Sequence, residues 1–283
     1  MNHLKEQNVL ILGLGISGLS MARWCTRQGA RVTVADTRPV PPQLVALQAE
    51  CPQARFVCSA LDASLMDAEP WTLVARSPGL APDQLQAVRQ WTEQSGVVLV
   101  GELDLFAQAL ADLATRQTWP YRPKLLAITG TNGKTTVTAL TSLLLERAGR
   151  RVAVAGNIGP ALLDVLSGAL DHEAAELARE AEEARLEQEQ MPVSGESACD
   201  KPDPSAMDDV AGMGALIDED ASENAGEVLD DNTDDVGSDV SVLLQPPEPE
   251  APPPPHLTQV WVLELSSFQL DGVAGGPWDA LPT

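Results

Sequence analysis

The chain has 283 residues and a formal net charge of −23, and nearly all of that charge lies in one segment. Residues 171–255 contain 25 acidic and three basic side chains, which leaves 16 acidic and 15 basic residues elsewhere. So acidic a segment argues against nucleic acid as its partner. Four cysteines without a CxxC pair and three scattered histidines argue against a disulfide framework and a structural metal cluster.

The length is enough for about two domains at ~100–200 residues each. Only ten aromatic residues are present, so the core must be built from aliphatic side chains, which favours an α/β protein. No run reaches the ~20 apolar residues of a membrane span. Glycines interrupt the one apolar run near the start, which argues against a signal peptide. We therefore expect a cytoplasmic protein with no membrane partner, acting as a monomer.

The first hundred residues predict alternating strands and helices. Predicted strands cover 9–12, 31–35, 55–57, 72–75 and 97–100, and predicted helices cover 16–28, 41–49 and 83–94. Such alternation is typical of a parallel sheet with right-handed crossovers. The pattern predicts a Rossmann-like domain over residues 1–100, with Cys25 as a small core residue of its first helix.

A second α/β unit is predicted over residues 101–283. Its predicted strands cover 125–129, 151–155 and 259–265, with helices over 135–148 and from 160 onward. Apolar periodicity ends after about Leu186, and a proline-rich stretch runs to Pro255. This composition buries too little apolar surface to offset the entropy of ordering, so we expect a disordered insert at 169–256. A charged helix over about 172–190 is compatible with the pattern.

The most specific motif is ITGTNGKTT at residues 128–136, between a predicted strand and a predicted helix. Gly130 and Gly133 let the loop backbone turn its N–H groups toward phosphate oxygens, and the helix N-terminus adds positive potential. Lys134 suits the β- and γ-phosphates of a nucleoside triphosphate, and Thr135 suits Mg²⁺. The full P-loop pattern would have glycine where this chain has Ile128. The predicted ATP-binding residues are Gly130, Thr131, Asn132, Gly133, Lys134, Thr135 and Thr136.

A second phosphate motif, GLGISG at residues 13–18, follows the first predicted strand and opens the first helix. Asp36 ends the next strand, 18 residues after Gly18, which meets the dinucleotide fingerprint. The pattern specifies a diphosphate at a helix N-terminus, and both NAD and a UDP-sugar carry one. A third motif, LELSSFQL at 263–270, places Glu264 at the end of a buried strand, where a carboxylate suits a metal ion beside a P-loop.

Together these motifs resemble those of the Mur ligase family, most closely its D-glutamate-adding members. The matching stretches are GLGISG at 13–18, ADTR at 35–38, SPG at 77–79, GELDLF at 101–106, ITGTNGKTT at 128–136, GNIG at 156–159 and LELSSFQL at 263–270. They follow the family's order along the chain. The resemblance implies an N-terminal UDP-sugar domain and an ATP-binding central domain.

The resemblance also implies the roles of individual residues. Lys134 and Glu264 would be catalytic, Thr135 and Glu264 would bind Mg²⁺, and ATP would be the second nucleotide. The UDP-sugar would be held by Gly15, Ile16, Ser17, Asp36, Thr37, Arg38, Ser77, Pro78 and Gly79, with Asn157, Ser266 and Gln269 at its pyrophosphate or muramoyl part. The implied substrates are UDP-N-acetylmuramoyl-L-alanine and D-glutamate, joined through an acyl phosphate in cell-wall precursor synthesis.

The sequence departs from the family pattern in two respects. The acidic insert is not part of that pattern. A histidine metal ligand, a carbamylated lysine and a C-terminal domain would follow next, and none lies within the 283 residues. We therefore expect a truncated chain, with an incomplete central domain, that binds the UDP-sugar without forming the amide. A turnover assay with both substrates and ATP tests this expectation, which steady product-linked ADP release would contradict.

Three alternatives remain open at this point. The first is another amino-acid-adding member of the superfamily, although the N-terminal diphosphate motif argues against folylpolyglutamate synthetase. The second is an NAD-dependent oxidoreductase, in which the P-loop would have no purpose. The third is a non-catalytic binding protein whose acidic segment recruits a basic partner.

Overall fold

A computed structural model describes residues 3–157, 159–190 and 254–271. Of the described residues, those up to Arg185 and those from Pro254 onward belong to one compact unit, and residues 186–190 fall outside it. This unit contains all eight strands of the described residues. Within the described ranges no helix combines the length and the apolar character needed to cross a membrane.

The N-terminal part is the predicted parallel sheet with helices on both faces. Its elements are β1 Asn8–Leu12, α1 Ile16–Arg27, β2 Arg31–Asp36, α2 Leu44–Glu50, β3 Arg55–Cys58, α3 Ala63–Met66, β4 Leu73–Arg76, α4 Gln86–Ser95, β5 Val98–Gly101 and α5 Glu102–Ala114. The strand order is β3-β2-β1-β4-β5, and all four pairings are parallel. The order reverses between β1 and β4, and ligands of open α/β sheets bind at such a switch point.

The alternation of side chains along β1 divides the core into two layers. Val9 and Ile11 pack into one cluster with α1, whereas Leu10 and Leu12 pack into the other with α3 and α4. All four are fully buried, which explains the continuous apolar run that marks this strand in the sequence. Cys25 is buried in the first layer as predicted, and burial raises the pKa of its thiol to about 12.

The second part is a three-stranded parallel sheet. Its elements are β6 Lys124–Ile128, α6 Lys134–Arg147, β7 Val152–Gly156, α7 Leu162–Gln190, β8 Val260–Glu264 and α8 Ser267–Leu270. The strand order is β6-β8-β7, so the strand that arrives last along the chain lies in the centre. All five residues of β8 are buried, and the pairing sets Glu264 opposite both Ile128 and Gly156. The carboxyl ends of the three strands therefore meet at one edge.

Disorder does not begin at residue 169 as expected, because α7 continues without a break to Gln190 and includes the charged helix that the sequence pattern allows over about 172–190. Its first turns bury Leu162, Leu163 and Leu166, and Leu170 follows on the same face. Further along, pairs of opposite charge three and four residues apart, such as Arg179 with Glu176 and Glu183, support an exposed helix. Residues 254–256, at the predicted end of the insert, are also described. The disorder predicted for residues 191–253 lies outside the described residues.

The sequence analysis missed three helices: α3, α5 and α8. The long one, α5, carries a clear helical pattern, since Leu103, Phe106, Leu110 and Leu113 are all buried on one face. It begins directly after β5, where Gly101 donates its N–H to the Asp104 carboxylate at 2.7 Å. The two four-residue helices are too short for periodicity to reveal them.

Candidate functional site

A cleft of about 500 Å³ opens at the carboxyl ends of β1, β2 and β4. It lies at the switch point of the first sheet. Nine residues that the sequence predicts as UDP-sugar ligands line it: Gly15, Ile16, Ser17, Asp36, Thr37, Arg38, Ser77, Pro78 and Gly79. The fold thus brings together three segments that are distant along the chain.

Asp36 fixes the shape of this cleft. Its carboxylate accepts hydrogen bonds from the Leu14 backbone N–H at 2.7 Å and from the Arg38 guanidinium at 2.7 and 2.8 Å. The bond from Arg38 is the main reason why the pKa of Asp36 falls to about 2. Asp36 is only 3% exposed, whereas about half of the Arg38 side chain faces solvent. The charge of the Asp36 carboxylate is therefore balanced by hydrogen bonds from the protein itself, and the exposed side of Arg38 remains accessible to a phosphate.

The first glycine loop is tightly packed at Gly18 and open to the cleft at Gly15. A Cβ at Gly18 would lie 2.0 Å from the Gly13 carbonyl oxygen, so only glycine fits there. The Ser77 hydroxyl donates to the same carbonyl at 2.9 Å and ties the loop to β4. A Cβ at Gly15 would meet nothing within 4 Å. The loop can thus present its backbone at Gly15 to a ligand that enters the cleft.

The second glycine loop joins β6 to α6 and is exposed. Gly133 is the N-cap of α6 with φ +78°, and Gly130 has φ +148°, both in the region that favours glycine. The Lys134 ammonium donates to the Gly130 carbonyl oxygen at 2.7 Å, so this lysine lies across its own loop. Thr135 follows in the first turn of the helix. Strand, loop, lysine and helix stand in the order that the motif predicts.

Glu264 lies beside this second loop. Its Oε1 accepts from the Thr135 hydroxyl at 3.4 Å, and its Oε2 is buried without a hydrogen-bond partner among the described residues. Only 1% of Glu264 is exposed, and a buried carboxylate oxygen that lacks a partner is costly. A cation held between Glu264 and Thr135 would remove that cost. Both residues supply oxygen ligands, which Mg²⁺ prefers.

Two family profiles match the two parts of the molecule. The N-terminal domain of MurD-like Mur ligases matches residues 7–101, and the Mur ligase middle domain matches residues 128–191.

This chain belongs to the Mur ligase family.

Two similar curated proteins carry the same name. A UDP-N-acetylmuramoylalanine–D-glutamate ligase from Albidiferax ferrireducens is 61% identical over 166 residues, which are 59% of this chain and 32% of that protein. The ligase of the same name from Burkholderia cenocepacia is 54% identical over 168 residues, which are 59% of this chain and 33% of that protein. In these matches the chain spans about a third of the relatives' length.

One of the solved structures that match this chain is that of a UDP-N-acetylmuramate:L-alanyl-gamma-D-glutamyl-meso-diaminopimelate ligase from Neisseria meningitides. It is 18% identical, and the match covers 53% of this chain and 42% of that one with a TM-score of 0.36.

Three further residues predicted to contact the UDP-sugar lie at the second sheet and do not line the first cleft. In this Mur ligase chain, Ser266 and Gln269 cap α8, and the Ser266 N–H donates to Gln269 Oε1 at 2.9 Å. The Asn157 N–H donates to the Glu264 carbonyl oxygen at 2.7 Å. Gln269 lines a narrow crevice together with Pro78, which also lines the first cleft. The predicted ligand contacts of all three residues stay predictions.

The sequence analysis overlooked two charged groups of this Mur ligase chain. Glu102 is 4% exposed and accepts hydrogen bonds from α1 and α7. Arg76 is 8% exposed, donates to the Asp271 carbonyl oxygen and lies near the carboxylate that Arg89 also binds. A glutamate beside the apolar face of α5 was a usable signal for Glu102. For Arg76, whose partner is 195 positions away, the sequence contained none.

Proposed function

We propose that this Mur ligase chain carries the two nucleotide sites of an ATP-dependent ligase that joins D-glutamate to UDP-N-acetylmuramoyl-L-alanine. The proposal rests on two glycine loops that each lead into the N-terminus of a helix. One loop lies in the cleft. The other lies beside the buried Glu264, whose Oε2 has no hydrogen-bond partner among the described residues. The names of the similar proteins support the choice of D-glutamate and of the muramoyl substrate.

In this proposal the first cleft holds the uridine diphosphate. Gly15, Ile16 and Ser17 offer backbone N–H groups and a hydroxyl at the entrance to α1, where the helix dipole favours a diphosphate. Arg38 supplies a positive charge, and the Ser77–Gly79 turn closes the other side. Both carboxylate oxygens of Asp36 already accept hydrogen bonds from Leu14 and Arg38. The carboxylate is therefore poorly placed to accept a hydrogen bond from a ribose hydroxyl of NAD, which weakens the oxidoreductase alternative.

The second site would hold ATP and Mg²⁺. The loop at 129–133 would wrap the phosphates with its N–H groups, and Lys134 would leave the Gly130 carbonyl to neutralise them. Thr135 and Glu264 would hold Mg²⁺, which, when bound, offsets the negative charge of the phosphates.

The proposed reaction has two steps. The carboxylate of UDP-N-acetylmuramoyl-L-alanine attacks the γ-phosphorus of ATP, and ADP leaves with the electron pair of the broken P–O bond. The amine of D-glutamate then attacks the acyl phosphate, so that a C–N bond forms, phosphate departs and the amine loses a proton. Lys134 stabilises charge on the transferring phosphoryl group, which is the main contribution a protein makes to such a transfer.

The test is calorimetry with ATP·Mg²⁺ and with UDP-N-acetylmuramoyl-L-alanine on the wild-type chain and two variants. Lys134→Ala should weaken ATP binding by at least about tenfold, because a charge-assisted contact contributes roughly 1.5–3 kcal/mol. It should leave the UDP-sugar affinity unchanged. Lys124→Ala, at the exposed start of β6, is the matched control and should change neither affinity. Equal ATP affinity in Lys134→Ala would contradict the assignment.

A further inference from the structure

Asp271, at the end of α8, binds two arginines that belong to the N-terminal part of the molecule. Its backbone carbonyl oxygen accepts a hydrogen bond from the guanidinium of Arg76, the last residue of β4. Its carboxylate Oδ2 lies 2.9 Å from the Arg89 guanidinium of α4 and 3.6 Å from that of Arg76. We call these three residues the Asp271 clamp. It joins segments that are 195 and 182 positions apart in the sequence.

The burial of Arg76 makes this contact important for the position of α8. The Arg76 side chain is almost fully buried, whereas the side chains of Arg89 and Asp271 are partly exposed. Burial lowers the pKa of Arg76, and the Asp271 carboxylate raises it. A buried guanidinium that loses its acceptors is left with an uncompensated charge, which is costly. Arg76 therefore favours the arrangement in which the end of α8 packs against β4.

Both ends of the clamp adjoin residues of the two proposed ligand sites. Arg76 is followed by Ser77, whose hydroxyl ties the first glycine loop to β4. Asp271 is the C-cap of α8, and Ser266 is its N-cap. Ser266 comes two residues after Glu264, the buried carboxylate at the end of β8. The clamp therefore connects the wall of the first cleft to the segment that leaves the second site.

A narrow crevice runs beside the clamp. It is lined by Arg76, Asp271, Gln269 and Pro78, and Pro78 also lines the first cleft. The helix that carries Gln269 is only four residues long. A single helical turn has little stability of its own, so its position depends on what holds its ends. The clamp is the contact with β4 and α4 at its C-terminal end.

The chemistry of the proposed substrate shows which part of it would reach this helix. The carboxylate that attacks ATP lies at the end of the lactoyl-L-alanine arm, at the far side of the sugar from the diphosphate. With the diphosphate in the first cleft, this arm must extend toward the second site, where α8 begins. Gln269 lines the crevice next to the first cleft and is one of the residues predicted to contact the muramoyl part.

We propose that Arg76 is a positioning residue, which through Asp271 holds α8 so that Gln269 contacts the lactoyl-L-alanine arm of the substrate. This inference rests on the proposed function of the first cleft. It separates two parts of the ligand, because the uridine diphosphate is held by the first glycine loop and Arg38 and does not need α8. An arginine that only stabilised the fold would not distinguish a ligand with the arm from a ligand without it.

The experiment is calorimetry of the full chain with UDP-N-acetylmuramoyl-L-alanine and with UDP-N-acetylglucosamine, which has the same diphosphate diester and lacks the arm. The wild-type chain should bind the first ligand at least about tenfold more tightly, since the arm adds more than one hydrogen bond. Arg76→Met should reduce this ratio at least about fivefold, as expected for the loss of about one hydrogen bond. Its affinity for UDP-N-acetylglucosamine should change less than about twofold.

Further variants separate positioning from folding. Arg76→Lys restores the cation and should recover part of the ratio. Asp271→Asn keeps the carbonyl oxygen and loses the charge, and its partly exposed side chain tolerates the change, so it serves the same comparison if Arg76→Met does not fold. Its ratio should fall at least about twofold. Arg55→Met is the matched control, because Arg55 forms an exposed ion pair with Glu69 at 2.5 Å and should change neither affinity.

The outcomes distinguish this inference from the proposed function. Equal wild-type affinities for the two ligands would overturn the inference and leave the diphosphate site standing. Equal losses for both ligands in folded Arg76→Met or Asp271→Asn, or an unchanged ratio in both variants, would overturn it as well. An absence of wild-type binding to either ligand would overturn the diphosphate site and this inference with it.

Discussion

The two glycine loops of this chain each join a strand to a helix, but their surroundings differ. Within the loop at 13–18, Gly18 packs closely against the Gly13 carbonyl group. Hydrogen bonds to Ser77 and Asp36 also fix this loop. The loop at 129–133 is exposed, and a Cβ at Gly133 would meet nothing within 4 Å. The first site is therefore shaped before a ligand arrives. Under the proposed function, the second site would need its ligand to draw Lys134 away from the Gly130 carbonyl oxygen.

The helices after the two loops differ in the same way. In α1, seven residues are buried, whereas in α6 only Thr138 is. Val137, Leu140 and Leu144 of α6 do lie on one face, as the sequence predicts, but each is at least half exposed. In both places a glycine turn precedes the helix start, and the packing around the turn decides how rigid the loop is.

The largest expected effect is that of Gly18→Ala. Its Cβ would lie 2.0 Å from a backbone oxygen, so the variant should lose about 3 kcal/mol of unfolding free energy in urea denaturation. Gly133→Ala meets no atom and should lose only about 1–2 kcal/mol from its left-handed φ of +78°. Gly15→Ala is the control, at about 1 kcal/mol or less. Equal losses at Gly18 and Gly133 would break the contrast between the loops.

Asp36→Asn should have the next largest effect. The folded-state pKa of about 2 lies below the usual 3.8, so the charge stabilises the fold above pH 4, and this contribution is lost as pH falls toward 2. The variant should lose roughly 2 kcal/mol at pH 7, since one pKa unit corresponds to about 1.4 kcal/mol. Its stability should converge with that of the wild type near pH 2. Asp83→Asn, on the exposed surface, should match the wild type throughout.

The smallest effect is expected for Leu144→Ala in α6. This side chain is 57% exposed, so its truncation should cost below about 0.5 kcal/mol in the same assay. A loss of about 2–5 kcal/mol, as for a fully buried leucine, would show that this face of α6 is covered in solution and that the second site is more rigid than proposed.

Local signals in the sequence were sufficient to predict the positions of the two glycine loops. Apolar strands followed by glycine turns and amphipathic helices predict both loops within one or two residues, because turn chemistry and periodicity act over short distances. Asp36 and the Ser77–Gly79 turn could be placed at the same cleft because parallel strands end at one edge.

Contacts between distant segments could not be predicted from local sequence patterns. Nothing local shows that β8 enters between β6 and β7, or that Glu102 meets both Ser20 and Leu163. The continuation of α7 past residue 169 depends on tertiary burial of its first turns and on ion pairs along its exposed part, which its acidic composition obscured.

The central claim is that the chain has two separate phosphate sites. The most direct measurement is calorimetry of the wild-type chain with UDP-N-acetylmuramoyl-L-alanine, performed with and without a saturating non-hydrolysable ATP analogue and Mg²⁺. The account predicts that each ligand binds one site and that neither displaces the other. Competition for a single site, or binding of neither ligand to folded protein, would contradict it.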